Sequence, residues 1–439
     1  MKSENGFINT LTQLCLICVF CLAKLHGLEQ NTYSNVEGNA DDSLPGKLKF
    51  AHVIFRHGDR MPVDPYPTDP WNNQTFWPAR WGQLTNRGKR QHYELGKWLR
   101  KRYNALLGAT YDRQQIFVQS TDVDRTLMSA QSNLAGFYEP EGSDIWNEDL
   151  KWQPIPVHTK PEKDDPVLAA KAPCSAFDYA LSALQSSPEY QAKVERYKYL
   201  FDYLSQHSGR MVETFLDINY INNTLFIETL YNKTLPEWTK KVYGSADMTY
   251  ATNFAFSVNT MTRQLARLKV GPLLKEIFNR FVDKSQGKLT PDRNMWIYSA
   301  HDTTIANVLN GLNMFQLHSP PYTACIMMEM RVDDYNNSLI SIFYKNSSAE
   351  PLPMNIPGCG VSCPLNTLLR LYSDYLPVDW ERECKLSTMM LTYEEANIGA
   401  ATGILIFIII ILLCASYALM IYYRRRNYHL YSSSYAQMA

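Results

Sequence analysis

The stretch RHGDR at residues 56–60 places one arginine on each side of a histidine. Guanidinium groups donate planar pairs of hydrogen bonds that match the oxygens of a phosphate group. The imidazole of His57, between Arg56 and Arg60, is placed to attack a group that these arginines hold. Gly58 would let the backbone turn tightly at this point. The residue types therefore indicate a loop that handles phosphate, although a solvated charge cluster on a surface turn would have the same composition.

Two later polar loops carry the same residue types. Arg125 follows the apolar run Ile116–Gln119 in the stretch STDVDRT. His301 and Asp302 follow the apolar run Met295–Tyr298 in the stretch SAHDTT. Ligands in open α/β sheets bind beyond the carboxyl ends of the strands. The three loops therefore converge in one crevice if their strands are neighbours, which spacing alone does not establish.

Each of these loops lies between a predicted strand and a predicted helix. The apolar run at residues 50–55 is typical of a buried strand. Leu84–Leu107, the segment after Arg125, and Thr303–Leu312 repeat apolar residues three or four positions apart, which predicts amphipathic helices. Strands that alternate with helices predict an α/β fold with a mostly parallel, doubly wound sheet and flanking helices.

The rest of the folded region adds a cap and a hairpin. Ser175–Leu235 is largely helix-like and predicts a smaller, mainly helical cap domain at about residues 173–258. This cap is an insertion in an ectodomain that spans residues 47–390. Ala324–Met330 and Leu339–Tyr344 alternate in a way that predicts two strands of a hairpin.

The N-terminal end has the pattern of a secretory signal. Lys2 precedes the apolar run Leu11–Ala23, which has the length and charge order of a signal peptide. We therefore expect a signal peptide at residues 1–27 and a polar, flexible leader at residues 28–46. A buried helix of the fold is the alternative interpretation of the apolar run.

The C-terminal end predicts one transmembrane helix at residues 398–423, because this apolar stretch is long enough to cross a bilayer. Arginines at 424–426 mark a cytosolic tail at residues 424–439, which predicts a single-pass type I membrane protein. Tyr435 and Met438 are spaced as in a tyrosine-based sorting signal that an adaptor would bind. A short tail with several tyrosines also gives this spacing by chance.

Composition agrees with a folded extracellular or lumenal domain. The chain has 439 residues with 43 basic and 43 acidic side chains, so its charge gives no indication of nucleic-acid binding. Outside the two apolar ends, no cysteine or histidine cluster has the spacing of a zinc site. Five N-glycosylation sequons are present, at Asn73, Asn222, Asn232, Asn336 and Asn346.

The motifs RHGDRMP, VDRT and SAHDTT, in this order, resemble those of the histidine acid phosphatases, within the histidine phosphatase superfamily. The resemblance covers about residues 47–385, and the two ends are similar to the membrane-anchored lysosomal or prostatic-type branch. It implies an acid phosphatase that hydrolyses phosphate monoesters through a covalent phosphohistidine. Three guanidiniums can supply the charge that Mg²⁺ supplies elsewhere, so we expect no metal or cofactor.

The resemblance also assigns roles to individual residues. His57 corresponds to the nucleophile and Asp302 to the acid that protonates the leaving alcohol. Because the ordinary pKa of an aspartate is about 3.9, a catalytic acid of this kind predicts activity below neutral pH. Four residues correspond to phosphate-binding positions: Arg56, Arg60, Arg125 and His301.

Cysteine pairing is likewise implied by the resemblance. Cys174 and Cys384 correspond to a long-range disulfide, and Cys359 and Cys363 to a local one. Cys325 corresponds to a position that is bridged in vertebrate members, but its usual partner position holds the sequence FIET here. We therefore expect a buried free thiol at Cys325. Family members are often homodimers, although no interface can be read from this sequence.

Two other functions compete with phosphomonoester hydrolysis. A binding ectodomain could keep this fold without activity, but the presence of all six motif residues argues against it. A mutase of the same superfamily would act on cytosolic metabolites, which conflicts with the predicted signal peptide. Neither the substrate nor the choice between a lysosomal or endosomal lumen and the cell surface can be read from the sequence.

Overall fold

The computed structural model of the protein describes residues 44–386, 406–421 and 423–424. Within these residues one sheet contains all the named strands: β1 (Lys47–Arg56), β2 (Ile116–Ser120), β3 (Met295–Ala300), β4 (Cys325–Val332), β5 (Ser338–Lys345) and β6 (Cys363–Pro364). Their order across the sheet is β2-β3-β1-β4-β5-β6. The predicted α/β class and the predicted hairpin are confirmed.

Helices cover the sheet and fill the long insertion between β2 and β3. Within residues 44–386 the α-helices are α1 (Asn86–Arg102), α2 (Asp124–Phe137), α3 (Ser175–Gln185), α4 (Pro188–Ser208), α5 (Phe215–Leu230), α6 (Ala246–Val258), α7 (Arg263–Lys269), α8 (Gly271–Ser285), α9 (Asp302–Gly311), α10 (Leu365–Tyr372) and α11 (Trp380–Glu383). Short 3₁₀ helices lie at Gln74–Phe76, Gly142–Asp144, Glu162–Asp164, Glu237–Lys241 and Ser373–Tyr375.

The sheet is mixed, so the prediction of a mostly parallel sheet is wrong in its proportions. Strands β1, β2 and β3 run parallel, with β3 in the middle. Strands β4, β5 and β6 each pair in antiparallel fashion. The difference arises because the predicted hairpin extends the same sheet beyond β1 instead of standing apart from it.

The parallel half of the sheet brings three strand ends to one edge. Arg56, the last residue of β1, lies opposite Ala300, the last residue of β3. Ser120, the last residue of β2, lies opposite Ser299. Residues 50–56 of β1 are all buried, because neighbouring strands flank it and helices cover both faces. A polar residue placed directly after any of these strands therefore enters the same region.

Two large apolar clusters and smaller ones stabilise the part of the fold that the structure describes. The larger one packs α8 and α9 against the sheet, with Phe278 and Ile305 fully buried. The other lies among α4, α5 and α6, around Leu204 and Phe215. The helices between 175 and 258 thus have apolar packing of their own. Helix α5 begins with a capping box, in which Thr214 and Asp217 exchange hydrogen bonds.

Two disulfides are present in the described chain. Cys174 is bonded to Cys384, 210 residues away, and Cys359 is bonded to Cys363. These are the two pairs that the family resemblance implies. Cys325 is buried and has no disulfide partner, and burial raises the pKa of its thiol to about 12. It therefore behaves as a small apolar side chain.

Four of the five sequon asparagines are exposed, whereas Asn222 is half-buried within α5. Several predictions fall outside the described residues: the signal peptide at 1–27, most of the leader at 28–46, and the sorting residues Tyr435 and Met438. The predicted span at 398–423 is described only in part, and its residues 406–421 are helical. Among the residues that the structure describes, no helix is both long and apolar enough to cross a membrane.

Candidate active site

The RHGDR loop begins where β1 ends and is fixed by backbone hydrogen bonds. The amide of His57 donates to Ala300 O at 3.0 Å, and the amide of Thr323 donates to His57 O at 3.3 Å. Arg56, His57 and Arg60 are 5%, 1% and 8% exposed, so this is not a solvated surface turn. Buried cations without equal numbers of anions need a ligand or another source of negative charge.

Gly58 is required for close packing, not for an unusual turn. Its φ is not among the positive values found at glycines of the described chain. A Cβ at Gly58 would lie 2.5 Å from Gly88 O, and a Cβ at Gly88 would lie 2.3 Å from Asp59 O. The loop therefore packs backbone to backbone against the first turn of α1, and the sequence expectation of a tight turn gave the wrong reason for this glycine.

The orientation of the His57 ring defines which nitrogen can react. Its Nδ1 lies 2.9 Å from Gly58 O. A carbonyl only accepts hydrogen bonds, so Nδ1 carries the proton and Nε2 has a free lone pair. Burial lowers the pKa of His57 well below 6.5, and the charges of Arg56, Arg125 and Arg60 lower it further. The imidazole is therefore neutral and nucleophilic at Nε2.

Asp302 is paired with the first arginine of the motif. Arg56 Nη2 lies 2.8 Å from Asp302 Oδ2, and the amide of Thr303 donates to Asp302 Oδ1 at 2.8 Å. Burial alone raises the pKa of Asp302, but the opposing effects of Arg56, Arg60 and His301 leave it below its usual value. In the unliganded site Asp302 is thus a carboxylate.

Arg60 connects the loop to the helices of the insertion. Its Nη1 donates to Met61 O and its Nη2 to Asn223 Oδ1, both at 3.0 Å. Asn223 lies on α5, so this helix helps to position a guanidinium of the crevice. The charge of Arg60 also contributes to the lowered pKa values of His57 and Asp302.

His301 is held between Arg125 and Thr121. Arg125 Nη2 lies 3.4 Å from His301 Nδ1, and Thr121 Oγ1 lies 3.0 Å from His301 Nε2. Because a guanidinium only donates, Nδ1 accepts, and Nε2–H then donates to Thr121. Burial and the charge of Arg125 lower the pKa of His301 to about 3. The His57 and His301 ring centroids are 5.8 Å apart.

The structure therefore brings all six motif residues together beyond the carboxyl ends of the parallel strands, a region that we call the crevice. It also adds residues that sequence reasoning missed. Asp59 is fully buried, and its Oδ2 accepts hydrogen bonds of 2.5 Å from the hydroxyls of Thr85 and Tyr231. Tyr322 packs its ring against Arg56, with 4.4 Å from Cζ to the ring centroid. Only Asp59 had a sequence signal, because it lies within the first motif.

Residues 47–345 match the family model of the histidine phosphatase superfamily, branch 2. The chain belongs to this superfamily. The chain is 36% identical to the lysosomal acid phosphatase of Xenopus laevis over an alignment of 370 residues. This alignment covers 82% of this chain and 84% of that protein. It is 37% identical over 348 residues to the prostatic acid phosphatase of Bos taurus, covering 77% and 88%.

Solved structures show the same fold at lower identity. Hafnia alvei phytase in complex with myo-inositol hexakis sulphate matches with a TM-score of 0.60 and 18% identity, over 78% of this chain and all of that one. The apo form of that phytase matches with a TM-score of 0.57. Together with the family match, the sequence relatives confirm that this histidine phosphatase is a phosphoric monoester hydrolase.

Proposed function

We propose that His57 Nε2 attacks the phosphorus atom of a phosphate monoester and forms a phosphohistidine. The single observation that carries this assignment is the contact of 2.9 Å between His57 Nδ1 and Gly58 O. It leaves Nε2 unprotonated in a site whose positive charges are the guanidiniums of Arg56, Arg60 and Arg125, with the carboxylate of Asp302 paired to Arg56. A covalent intermediate divides one difficult displacement into two easier ones.

Arg56, Arg60 and Arg125 bind the phosphoryl oxygens in this proposal. Burial lowers the pKa of Arg125 to about 10, so it stays protonated in neutral and acidic solution. In the described part of the chain, the pair of Arg56 with Asp302 is the only salt bridge that any of these three guanidiniums forms. The resulting excess of positive charge matches a phosphate dianion and the charge that develops during transfer.

Asp302 supplies the proton for the leaving alcohol. As the P–O bond to the alcohol breaks and the P–N bond to His57 forms, the Asp302 proton passes to the alcohol oxygen. Water then attacks the phosphohistidine and gives its proton to Asp302, which releases inorganic phosphate. A bound phosphate dianion offsets the arginines that hold the pKa of Asp302 low, so the protonated form is populated in the complex and in acid.

His301 contacts the phosphate only after a local exchange of partners. Both of its nitrogens are occupied in the free site, one by Arg125 and the other by Thr121. When Arg125 turns to a bound phosphate, Nδ1 becomes available and the nearby dianion favours its protonation. His301 would then donate to the phosphate through Nδ1–H while Thr121 keeps the ring in place.

Turnover of an aryl phosphate by the full-length chain tests this mechanism. We expect hydrolysis of p-nitrophenyl phosphate at pH 5 that is lost in His57→Ala and retained in His207→Ala. His207 is a suitable control because it lies in the last turn of α4, stacked on Trp238. Equal activity of the His57→Ala variant and the wild type would remove His57 from the mechanism.

The remaining features of the proposal concern cellular context. Relatives named lysosomal acid phosphatase support a lysosomal or endosomal lumen for this enzyme, with the cell surface as the alternative. We place the signal peptide at 1–27, the ectodomain at 47–390 with its cap at 173–258, and one membrane span at 398–423. If residues 398–423 span the membrane, the protein should stay in the membrane fraction during carbonate extraction. We also propose that the enzyme can form a homodimer and that a sorting adaptor binds its tail.

A further inference from the structure

The segment from Pro320 to Ala324 is tied directly to the catalytic loop. The amide of Arg56 donates to Ala324 O at 2.9 Å, and its Nη1 donates to Pro320 O. The amide of Thr323 donates to His57 O, and Thr323 has a φ of +61°. These bonds flank Tyr322 on both sides. The position of Tyr322 is therefore determined by the same backbone that presents the nucleophile.

The Tyr322 ring packs among residues of the crevice. Arg56 Cζ lies 4.4 Å from the ring centroid, a cation–π contact that leaves the in-plane N–H groups of the guanidinium free to donate. The His57 ring centroid is 6.0 Å away. On the side of the insertion, the ring of Phe226 from α5 is 6.2 Å away. Tyr322 thus lies between the nucleophile loop and α5.

The hydroxyl of Tyr322 is the unusual part of this arrangement. It is buried and has no hydrogen-bond partner in the described residues. A buried hydroxyl without a partner is costly, and such groups are uncommon unless a ligand or water completes them. The charges that act on it are those of Arg60, Arg56, Asp59 and Asp302, which all belong to the crevice. Its missing partner is therefore to be sought among molecules that enter the crevice.

We propose that the Tyr322 hydroxyl donates a hydrogen bond to a non-bridging oxygen of the phosphoryl group, which makes Tyr322 a further catalytic residue. This inference rests on the proposed function and extends it by one donor. Burial raises the pKa of Tyr322, so the phenol keeps its proton over the working range. Unlike the arginines, it adds a donor without adding charge and without competing for the carboxylate of Asp302.

An alternative partner for this proton is Asp59. Its Oδ1 is also buried without a hydrogen-bond partner in the part of the chain that the structure describes. A water molecule between Tyr322 and Asp59 would satisfy both groups and give the tyrosine a purely structural role. If the hydroxyl donates to the phosphoryl group, its removal weakens the binding of phosphate-like ions. If it donates through water to Asp59, that binding is unchanged, so the experiment must measure it.

Tyr322→Phe, which deletes only the hydroxyl, is the decisive variant, compared with Tyr203→Phe in the full-length chain. Tyr203 lies in α4, and its hydroxyl donates to Trp238 O at 2.9 Å, away from the crevice. We expect Tyr322→Phe to lower kcat/KM for p-nitrophenyl phosphate by roughly 10- to 100-fold. Competitive inhibition by vanadate, which resembles the transferring phosphoryl group, should weaken by a similar factor. The Tyr203→Phe variant should keep both values.

Each other outcome overturns the inference. If Tyr322→Phe keeps the wild-type kcat/KM and vanadate inhibition while Tyr322→Leu loses them, only the ring matters, through its packing on Arg56. If kcat/KM falls but vanadate inhibition does not, the hydroxyl bonds to Asp59 and not to the phosphoryl group. Failure of the proposed function is distinguishable, because the wild type itself would then hydrolyse no aryl phosphate.

Discussion

Two groups of buried charges lie on the two halves of the sheet, and their partners differ. On the antiparallel half, Glu329 of β4 is fully buried and accepts from Arg102 Nε at 2.8 Å and from the Tyr103 hydroxyl at 2.9 Å. Arg331 Nη2 lies 3.5 Å from its other oxygen. On the parallel half, Arg56 Nη2 is paired with Asp302. Arg60 and Arg125 lie in the same crevice, and neither forms a salt bridge with a carboxylate in the described residues.

The difference separates charges that stabilise the fold from charges that bind a ligand. The buried carboxylate of Glu329 is bound directly by Arg102 and Tyr103 and faces Arg331, and a carboxylate paired in this way contributes to a fixed structure. An excess of buried guanidiniums has a cost in the free protein that an incoming phosphate removes. The comparison predicts that variants on the antiparallel half change stability, whereas variants on the parallel half change catalysis.

The largest effect on stability is expected for Glu329→Gln. It removes the negative charge that Arg102 and Arg331 face, so we expect the free energy of unfolding to fall by about 3–5 kcal/mol. Chemical denaturation measures this loss, and kcat/KM per folded molecule should stay at the wild-type value. Glu237→Gln is the matched control, because Glu237 forms an exposed pair with Lys240 that contributes little. A stable Glu329→Gln variant with lost activity would contradict the comparison.

The largest effect on catalysis outside the nucleophile is expected for Arg125→Met. Removal of one charge-stabilising donor should lower kcat/KM by about 10²- to 10³-fold. The free energy of unfolding should not fall, since the removed guanidinium is half-buried and forms no salt bridge in the described residues. The stabilisation that added inorganic phosphate gives should diminish. Arg196, exposed on α4, provides the control Arg196→Met. A large loss of stability in Arg125→Met would assign this arginine to the fold instead.

A smaller effect concerns the dependence of stability on pH. The unfolded chain protonates His301 below about pH 6.5, whereas burial and Arg125 keep the folded pKa at about 3. The unfolded state therefore binds more protons, and stability falls as the pH drops from 6.5 towards 3. Between pH 7 and pH 5 the wild type should lose about 2 kcal/mol more than His301→Gln. Denaturation curves at both pH values measure this difference in the free energy of unfolding, with His207→Gln as control. Equal decreases in the wild type and in His301→Gln would show that His301 is not buried in neutral form.

How far the sequence predicts this site depends on the kind of residue. The three motif loops were predicted because a polar cluster after an apolar run is a local signal, and the register of β1 with β3 brings them together. The antiparallel half of the sheet was not predicted, because a hairpin pattern in the sequence does not indicate which strand of a sheet the hairpin pairs with. Tyr322 and Asn223 were missed since each reaches the crevice through tertiary packing, whereas Thr121 was overlooked although it directly follows β2 within the second motif. Glu329 had a signal that went unused, a single carboxylate within the apolar strand CIMMEMRV.

The central claim is that His57 becomes phosphorylated, and trapping that intermediate tests it most directly. The full-length chain would be mixed with a ³²P-labelled aryl phosphate at pH 5 and quenched in alkali, in which phosphohistidine persists. We expect label on the wild-type chain, located at His57 by peptide mapping, and no label on His57→Ala. Continued turnover with label on another residue, or with no labelled protein at any quench time, would contradict the account.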